Sequence, residues 1–180
     1  MNDVTAAKAA RSRKDDWHLA RTPDEQMLAA FEFSLERLMH AYYRWKGACL
    51  AAVTDGNFSG NDTAILNIIR LKDRPKGLSE ICRLLNRDDT ANIQYTLRKL
   101  LKAGLIEKSG TTSRKATVYA VTRTGAAVTD AYADLRADLL LALAGSISDR
   151  NESFEAAEQF LNLMSGMYDQ AATQAAAQRY

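Results

Sequence analysis

The stretch that decides the fold is LSEICRLLNRDDTANIQYTLRKLLKAGLIEK, residues 78–108. Apolar residues at helical spacing predict a short helix at residues 78–85. A polar turn follows, and the next helix extends from about residue 89 to residue 103. The spacing of Ile93, Leu97 and Leu100 predicts that these three side chains point into a core.

Beyond the longer helix, the apolar period changes from about 3.6 residues to about 2. Gly104 suits the left-handed conformation that ends a helix. Residues 105–108 and 117–122 read as strands, and a polar loop joins them. Because the loop carries the adjacent cations Arg114 and Lys115, the sequence predicts a β-hairpin with a basic tip.

Upstream of the short helix, Ser59 and Asp62 have the spacing of a capping box, which predicts the start of another helix. The resulting order is helix, short helix, turn, longer helix, strand, basic loop and strand. This order is that of a winged helix-turn-helix, in which the hairpin is the wing. We therefore predict a mainly α (α+β) fold with this core at residues 58–125 and a two-stranded wing.

A long helix is predicted before the core, from about residue 24 to residue 54. Thr22 can cap it, and Pro23 suits its first turn. A helix on the order of 46 Å long exceeds what a small core can cover, so a partner helix is expected. Its bulky residues recur in alternating steps of three and four, as Leu28, Phe31, Leu35, Leu38, Tyr42, Trp45 and Cys49.

The last helix, which begins near Asp149 or Ser153, carries a second stripe with the same alternation. Its members are Phe154, Ala157, Leu161, Met164, Tyr168, Ala171 and Ala175. We predict that both stripes form a homodimer interface, and the alternative is packing of the first helix on the last within one chain. The predicted regions are a mobile basic tail (residues 1–22), an N-terminal dimerisation helix (23–57), the core (58–125) and C-terminal helices that complete the dimerisation region (126–180).

Charge is distributed unevenly along the chain, although the net charge is only +2. Residues 70–123 hold 13 Lys or Arg against 5 Asp or Glu, which gives this segment a charge of +8, and the remainder carries −6. Such asymmetry is typical of nucleic-acid-binding proteins. A well-solvated surface is the alternative interpretation.

The longer helix, which we call the reader helix, suits the major groove of DNA, because that groove admits one helix. Asn92 and Gln94 suit adenine edges, and Arg98 suits guanine or phosphate. The wing cations would reach an adjacent minor groove or its phosphates. The predicted DNA-contacting residues are Thr90, Asn92, Gln94, Tyr95, Arg98, Lys99 (on phosphate), Arg114 and Lys115. Asp88 and Asp89 oppose phosphate, and we expect one of them to cap the reader helix.

The sequence resembles the MarR family of bacterial transcription regulators. The resemblance is carried by Ala64-Ile65-Leu66, Leu78-Ser79-Glu80-Ile81, Leu97-Arg98-Lys99-Leu100, Lys102-Ala103-Gly104-Leu105-Ile106 and Val121-Thr122-Arg123-Thr124-Gly125. It implies an obligate homodimer that binds two-fold, pseudo-palindromic sites on double-stranded DNA. It also implies a small aromatic or phenolic effector, which family members often bind between the dimer region and the reader helix.

Other function classes find little support in the sequence. The sequence shows no cluster of His, Cys and carboxylates, no phosphate-binding Gly loop and no nucleophile motif, so an enzyme is not expected. Two Cys and two His give no ligand cluster, so we expect no metal and no cofactor. The apolar runs are far shorter than the roughly 18 residues of a membrane span, so we expect a cytoplasmic protein with no membrane contact. The remaining alternative is a winged-helix protein-interaction module that docks an acidic partner without binding DNA.

Overall fold

The computed structural model describes residues 17–111 and 116–178. These residues form two compact units, which divide between Tyr132 and Ala133. The first unit contains the predicted core. Its helices and strands are α1 (Pro23–Val53), α2 (Gly60–Arg70), β1 (Lys76–Gly77), α3 (Leu78–Leu84), α4 (Thr90–Lys102), β2 (Ile106–Thr111), β3 (Thr117–Val121) and the start of α5 (Arg123–Arg136). The mainly α, winged helix fold expected from the sequence is confirmed.

The sheet has three antiparallel strands in the order β1-β3-β2, so the predicted two-stranded hairpin is present as β2 and β3 and is extended by one further strand. β1 pairs with β3 through Lys76 opposite Tyr119 and Gly77 opposite Val118. A two-residue strand is too short to show a period of 2 in the sequence. Its existence depends on pairing with β3, about 40 residues later in the chain, which local periodicity does not reveal.

The core lies between α2, α3, α4 and the sheet. Its fully buried side chains include Ile65, Leu66, Ile69, Ile81, Ile93, Leu97, Leu100, Leu105 and Ile106. The prediction that Ile93, Leu97 and Leu100 point inward is therefore confirmed. Each fully buried aliphatic side chain contributes roughly 1.5–3 kcal/mol of hydrophobic stabilisation.

Gly104 ends α4 in the predicted left-handed conformation, with φ of 69°. The amide of Gly104 donates to the Leu101 carbonyl at 3.0 Å, and the amide of Leu105 donates to the Leu100 carbonyl at 3.1 Å. This is the Schellman pattern, which satisfies the last carbonyls of a helix. It also places Leu105 in the core beside Leu100, so the chain leaves α4 directly into β2.

Thr122 and Gly125 fix the junction between the sheet and α5. The Thr122 hydroxyl donates to the Gly104 carbonyl at 2.6 Å and accepts from the Gly125 amide at 3.0 Å. A Cβ on Gly125 would lie 1.9 Å from the Leu105 carbonyl oxygen. Only glycine allows α5 to approach the end of α4 this closely, which explains the Thr-x-x-Gly spacing.

Helix α1 begins as predicted, with Thr22 and Glu25 forming a reciprocal capping box. The Trp17 ring contacts the edge of Phe33, with ring centroids 5.6 Å apart, and Ala20 is buried. Residues 17–22 of the predicted basic tail therefore pack against the first unit. Residues 1–16 of that tail lie outside the described part of the chain.

The second unit is helical. After α5 it contains a π-helical segment (Ala137–Leu141), the short helix α6 (Ala142–Ala144) and the long helix α7 (Arg150–Ala177). Helical spacing in the sequence predicts one helix from Thr122 or Thr124 to about Ala144, and the structure interrupts that helix with one π-helical stretch. None of the residues described in α7 is buried. Within the described residues, no helix is long and apolar enough to span a membrane.

Candidate nucleic-acid interface

The reader helix α4 has one buried face and one exposed polar face. Ile93, Thr96, Leu97 and Leu100 are buried, which fixes the rotation of the helix about its axis. The exposed face carries five of the predicted DNA-contacting residues, Thr90, Asn92, Gln94, Tyr95 and Arg98. The exposed fraction of Tyr95 is 60%. The residues predicted to contact the groove therefore share one exposed face of one helix.

Lys99 has a different environment from its neighbour Arg98. Its ammonium lies 2.6 Å from the Oδ2 atom of Asp62 and 5.1 Å from the centroid of the Phe58 ring. The side chain of Lys99 is 31% exposed, whereas that of Asp62 is 5% exposed. The structure thus uses the charge of Lys99 to hold α4 against α2, which does not agree with the predicted role on phosphate.

Asp62, at the start of α2, accepts hydrogen bonds from groups on its own helix cap and on α4. The donors are the Ser59 amide at 2.8 Å, the Ser59 hydroxyl at 3.0 Å, the Thr96 hydroxyl at 3.0 Å and the Lys99 ammonium. Burial raises the pKa of Asp62, but the bonds from Lys99, Ser59 and Thr96 outweigh burial and hold the pKa below its usual value. The predicted capping box is confirmed, and Asp62 also serves as the anchor of the reader helix.

Asp89 occupies the N-cap position of α4, but its side chain makes no cap hydrogen bond. The expectation that an aspartate side chain caps the reader helix is therefore wrong for Asp89. Its Oδ1 atom accepts instead from the Arg87 Nε atom at 2.7 Å, and its Oδ2 atom accepts from the Asn92 Nδ2 atom at 3.3 Å. The bond from Arg87 lowers the pKa of Asp89. The acid that counted against DNA binding is thus neutralised within the turn.

Arg87 is a residue whose role the sequence did not reveal. Its guanidinium also donates to the Oδ1 atom of Asn61 on α2. The spacing of Arg87 and Asp89 could have suggested an ion pair in the turn, since opposite charges lie two residues apart. Nothing in the sequence indicates that Asn61, 26 residues earlier, lies within reach.

The basic segment divides into cations that have partners and cations that are free. Arg70, Arg74, Arg87 and Lys99 form ion pairs, and the ammonium of the buried Lys76 donates to the carbonyls of Ile69, Leu71 and Arg74. Within the described part of the basic segment, residues 70–111 and 116–123, the exposed cations that form no ion pair are Lys72, Arg83, Arg98, Lys102, Lys108 and Arg123. Arg114 and Lys115, the predicted wing contacts, lie outside the described residues.

The predicted dimerisation stripes leave much apolar surface uncovered. On α1, Leu28, Leu38 and Tyr42 are exposed, whereas Phe31, Leu35 and Trp45 are half-buried and Cys49 is buried. On α7, Phe154, Leu161 and Tyr168 are exposed and Met164 is half-buried. Exposed apolar surface of this extent is typical of protein–protein interfaces.

Next to the α1 stripe, the buried Lys46 places its ammonium 4.7 Å from the Tyr42 ring centroid and 5.3 Å from that of Tyr43. Burial lowers the pKa of this lysine. The two rings stabilise the cation through their π faces. Nothing in these contacts identifies an effector, so the small aromatic effector stays a prediction.

Residues 58–125 match the family model of the winged helix DNA-binding domain. No curated protein matches this chain. A crystal structure of a MarR family transcription regulator is 21% identical, with a TM-score of 0.62, over 85% of this chain and 98% of that chain.

Two structures with bound DNA are also similar. The Mycobacterium tuberculosis transcriptional regulator MosR in complex with DNA is 12% identical, with a TM-score of 0.61, over 77% of this chain and 96% of that chain. A mutant MarR from E. coli complexed with operator DNA is 20% identical, with a TM-score of 0.55, over 71% of this chain and 93% of that chain. At these identities the likeness establishes the fold. The resemblance inferred from the sequence is confirmed at that level, and a match to a DNA-binding domain agrees with the prediction that the chain is not an enzyme.

Proposed function

We propose that this chain, whose winged helix fold is that of the MarR-type regulators, is a sequence-specific DNA-binding transcription regulator. The observation that carries the proposal is the exposed polar face of α4. Asn92, Gln94 and Arg98 lie on that face with Thr90 and Tyr95, while the opposite face is locked in the core. A helix held in this way can enter the major groove with base-reading side chains leading.

Phosphate contacts supply most of the affinity in this proposal. The free cations on and near the reader helix include Arg98, Lys102 and Arg83, and Lys108 lies on the wing strand β2. The wing cations Arg114 and Lys115 complete the set as predicted contacts. If a dimer neutralises on the order of 6–10 phosphates, affinity falls by roughly 10³ or more between 50 and 200 mM salt.

A homodimer on a pseudo-palindromic site is the second part of the proposal. The uncovered apolar residues of α1 and α7 support it, because a second copy would remove them from water. Two reader helices related by two-fold symmetry then address half-sites about one helical turn apart. The two similar structures with bound DNA are consistent with this use of the fold.

The alternative is a winged-helix module that binds an acidic protein rather than DNA. Two acids at the start of the reader helix favoured it, because they repel phosphate. The ion pair with Arg87 neutralises the charge of Asp89, so Asp88 is the one exposed acid of the two that still repels phosphate. The DNA-binding proposal is therefore the better supported one.

Selection from a random duplex library tests the proposal directly. The full chain is incubated with the library, and the bound duplexes are recovered and sequenced over several rounds. Enrichment of a two-fold symmetric motif, with retention that falls steeply as salt rises from about 50 to 200 mM, is the expected result. Failure to retain any duplex at low salt would refute it and favour the protein-interaction module.

A further inference from the structure

We infer that Arg87 and Asp89 are positioning residues that set the base preference of Asn92 without touching DNA. They hold the Asn92 amide in one orientation, with the edge that recognises adenine free to face the groove. This inference rests on the proposed function, since it concerns how the reader helix selects its site.

A chain of hydrogen bonds crosses from α2 to α4. The Arg87 guanidinium donates to Asn61 on α2 through Nη1 and to both carboxylate oxygens of Asp89 through Nε and Nη2. The Nε bond is 2.7 Å long. Because a guanidinium is planar and rigid, these contacts fix the position and the plane of the Asp89 carboxylate relative to α2.

The amide of Asn92 is the last member of this chain of hydrogen bonds. Its Nδ2 atom lies 3.3 Å from the Oδ2 atom of Asp89. An ionised carboxylate only accepts hydrogen bonds, so the amide atom that faces it must be the nitrogen. The opposite orientation would place the amide oxygen against the carboxylate, and two acceptors repel each other. The carboxylate therefore selects one of the two amide orientations.

That orientation leaves a particular pair of atoms available. An asparagine amide has two N–H groups, and one of them is donated to Asp89. We assign to Asp89 the N–H on the Cβ side of the amide, so that the other N–H, which lies on the same side as Oδ1, forms with Oδ1 the donor and acceptor pair that matches N7 and the N6 amino group of adenine. Because the side chain is already ordered, less conformational entropy is lost when it binds the base.

Removal of the Asp89 carboxylate should therefore lower the selectivity for adenine without lowering the affinity for DNA in general. Selectivity for adenine falls, because the Asn92 amide then rotates freely. Affinity for unrelated duplexes stays the same or rises, because a negative charge near the DNA is lost and the Arg87 cation is released. A residue that merely stabilised the fold would lower both affinities together.

The experiment compares full-length variants on the selected duplex and on copies with each adenine replaced singly. Asn92→Ala first identifies the adenine that Asn92 reads, as the one position where replacing the base no longer matters. Asp89→Ala should then lose about tenfold of the discrimination at that position, with affinity for an unrelated duplex unchanged or higher. Asp88→Ala is the matched control, because it removes the same charge from the same turn but lies outside the chain of hydrogen bonds. It should keep the discrimination of the wild type.

Arg87→Lys provides a second variant that keeps the charge but cannot bridge Asn61 and both oxygens of Asp89. It should also lose discrimination at the same adenine. The inference is overturned if Asp89→Ala and Arg87→Lys keep the base preference of the wild type, or if Asp88→Ala loses as much as Asp89→Ala. A wild-type chain that selects no duplex would instead refute the proposed function, and the inference with it.

Discussion

The Lys99 ammonium lies 2.6 Å from the Asp62 carboxylate, and this ion pair joins the reader helix α4 to helix α2. Arg98, the preceding residue, is exposed and forms no ion pair with the described residues. Two adjacent cations in one basic segment therefore have separate roles. One stabilises the position of the reader helix, and the other is available for DNA.

The first prediction follows from that separation and concerns stability. Lys99→Ala should lower the free energy of unfolding by about 1.5–3 kcal/mol, because it leaves the buried carboxylate of Asp62 without its cation. Arg98→Ala is the matched control and should change stability by less than about 0.5 kcal/mol. Denaturant unfolding followed by circular dichroism measures both. Equal losses for the two variants would contradict the assignment.

The second prediction concerns DNA binding by the same region. Arg98→Ala should weaken binding and reduce the slope of log affinity against log salt by about 2 for the proposed dimer, because each of the two copies loses one phosphate contact worth about 0.9. Lys99→Ala should leave that slope unchanged at a temperature where the variant is folded. Fluorescence anisotropy over a salt series provides the measurement. A reduced slope for Lys99→Ala would show that Lys99 contacts phosphate after all.

The third prediction concerns the pH dependence of stability. Since the pKa of Asp62 is lower in the folded state than its ordinary value of about 3.9, folding favours the ionised form. The resulting stabilisation is complete above that ordinary value and is lost as pH falls through the folded-state pKa.

Asp62→Asn tests this dependence. The variant should be less stable than the wild type by about 2 kcal/mol at pH 7. The difference should narrow as the pH falls from about 4 towards the folded-state pKa, because the unfolded wild type then binds a proton at Asp62 that the folded protein does not. Urea unfolding of both proteins between pH 7 and pH 3 checks this, and a difference that does not change with pH would argue against it.

The fourth prediction concerns the junction of the sheet with α5. Gly125→Ala should destabilise the first unit by about 2–3 kcal/mol, because the added methyl group meets the Leu105 carbonyl oxygen and forces the backbone apart. Ala127→Ser, at an exposed position of the same helix, should cost less than about 0.5 kcal/mol. Thermal unfolding compares the two. If both variants unfold like the wild type, the close approach at Gly125 has no energetic importance.

The fifth prediction concerns assembly. Leu38→Glu should convert the proposed dimer to a monomer, because it places a charge in the apolar stripe of α1, where Leu38 is 58% exposed in the single chain. Ala30→Glu introduces the same side chain at an exposed position outside the stripe and should remain dimeric. Sedimentation equilibrium measures the mass of each protein. A wild-type chain that sediments as a monomer would rule out the proposed assembly.

The sequence by itself determined the elements that depend on local chemistry. The capping boxes at Thr22 and Ser59 and the glycine that ends α4 satisfy backbone groups a few residues away. The inward face of the reader helix followed from the spacing of Ile93, Leu97 and Leu100, since one side of a helix must be apolar to pack on a core. The exposed candidates on the other face followed from the same geometry.

The tertiary structure decided which cations are available and which have partners or are buried. Lys99 forms an ion pair with Asp62, the Arg87 guanidinium donates to Asn61, and the strand that carries the buried Lys76 pairs with β3 opposite Tyr119. These partners lie between 26 and 43 residues apart in the chain, and their contacts exist only after α2, α4 and the sheet have packed together. A basic residue in the sequence is a cation available for DNA only if folding leaves it without an acidic or carbonyl partner, because a paired charge is already neutralised within the protein.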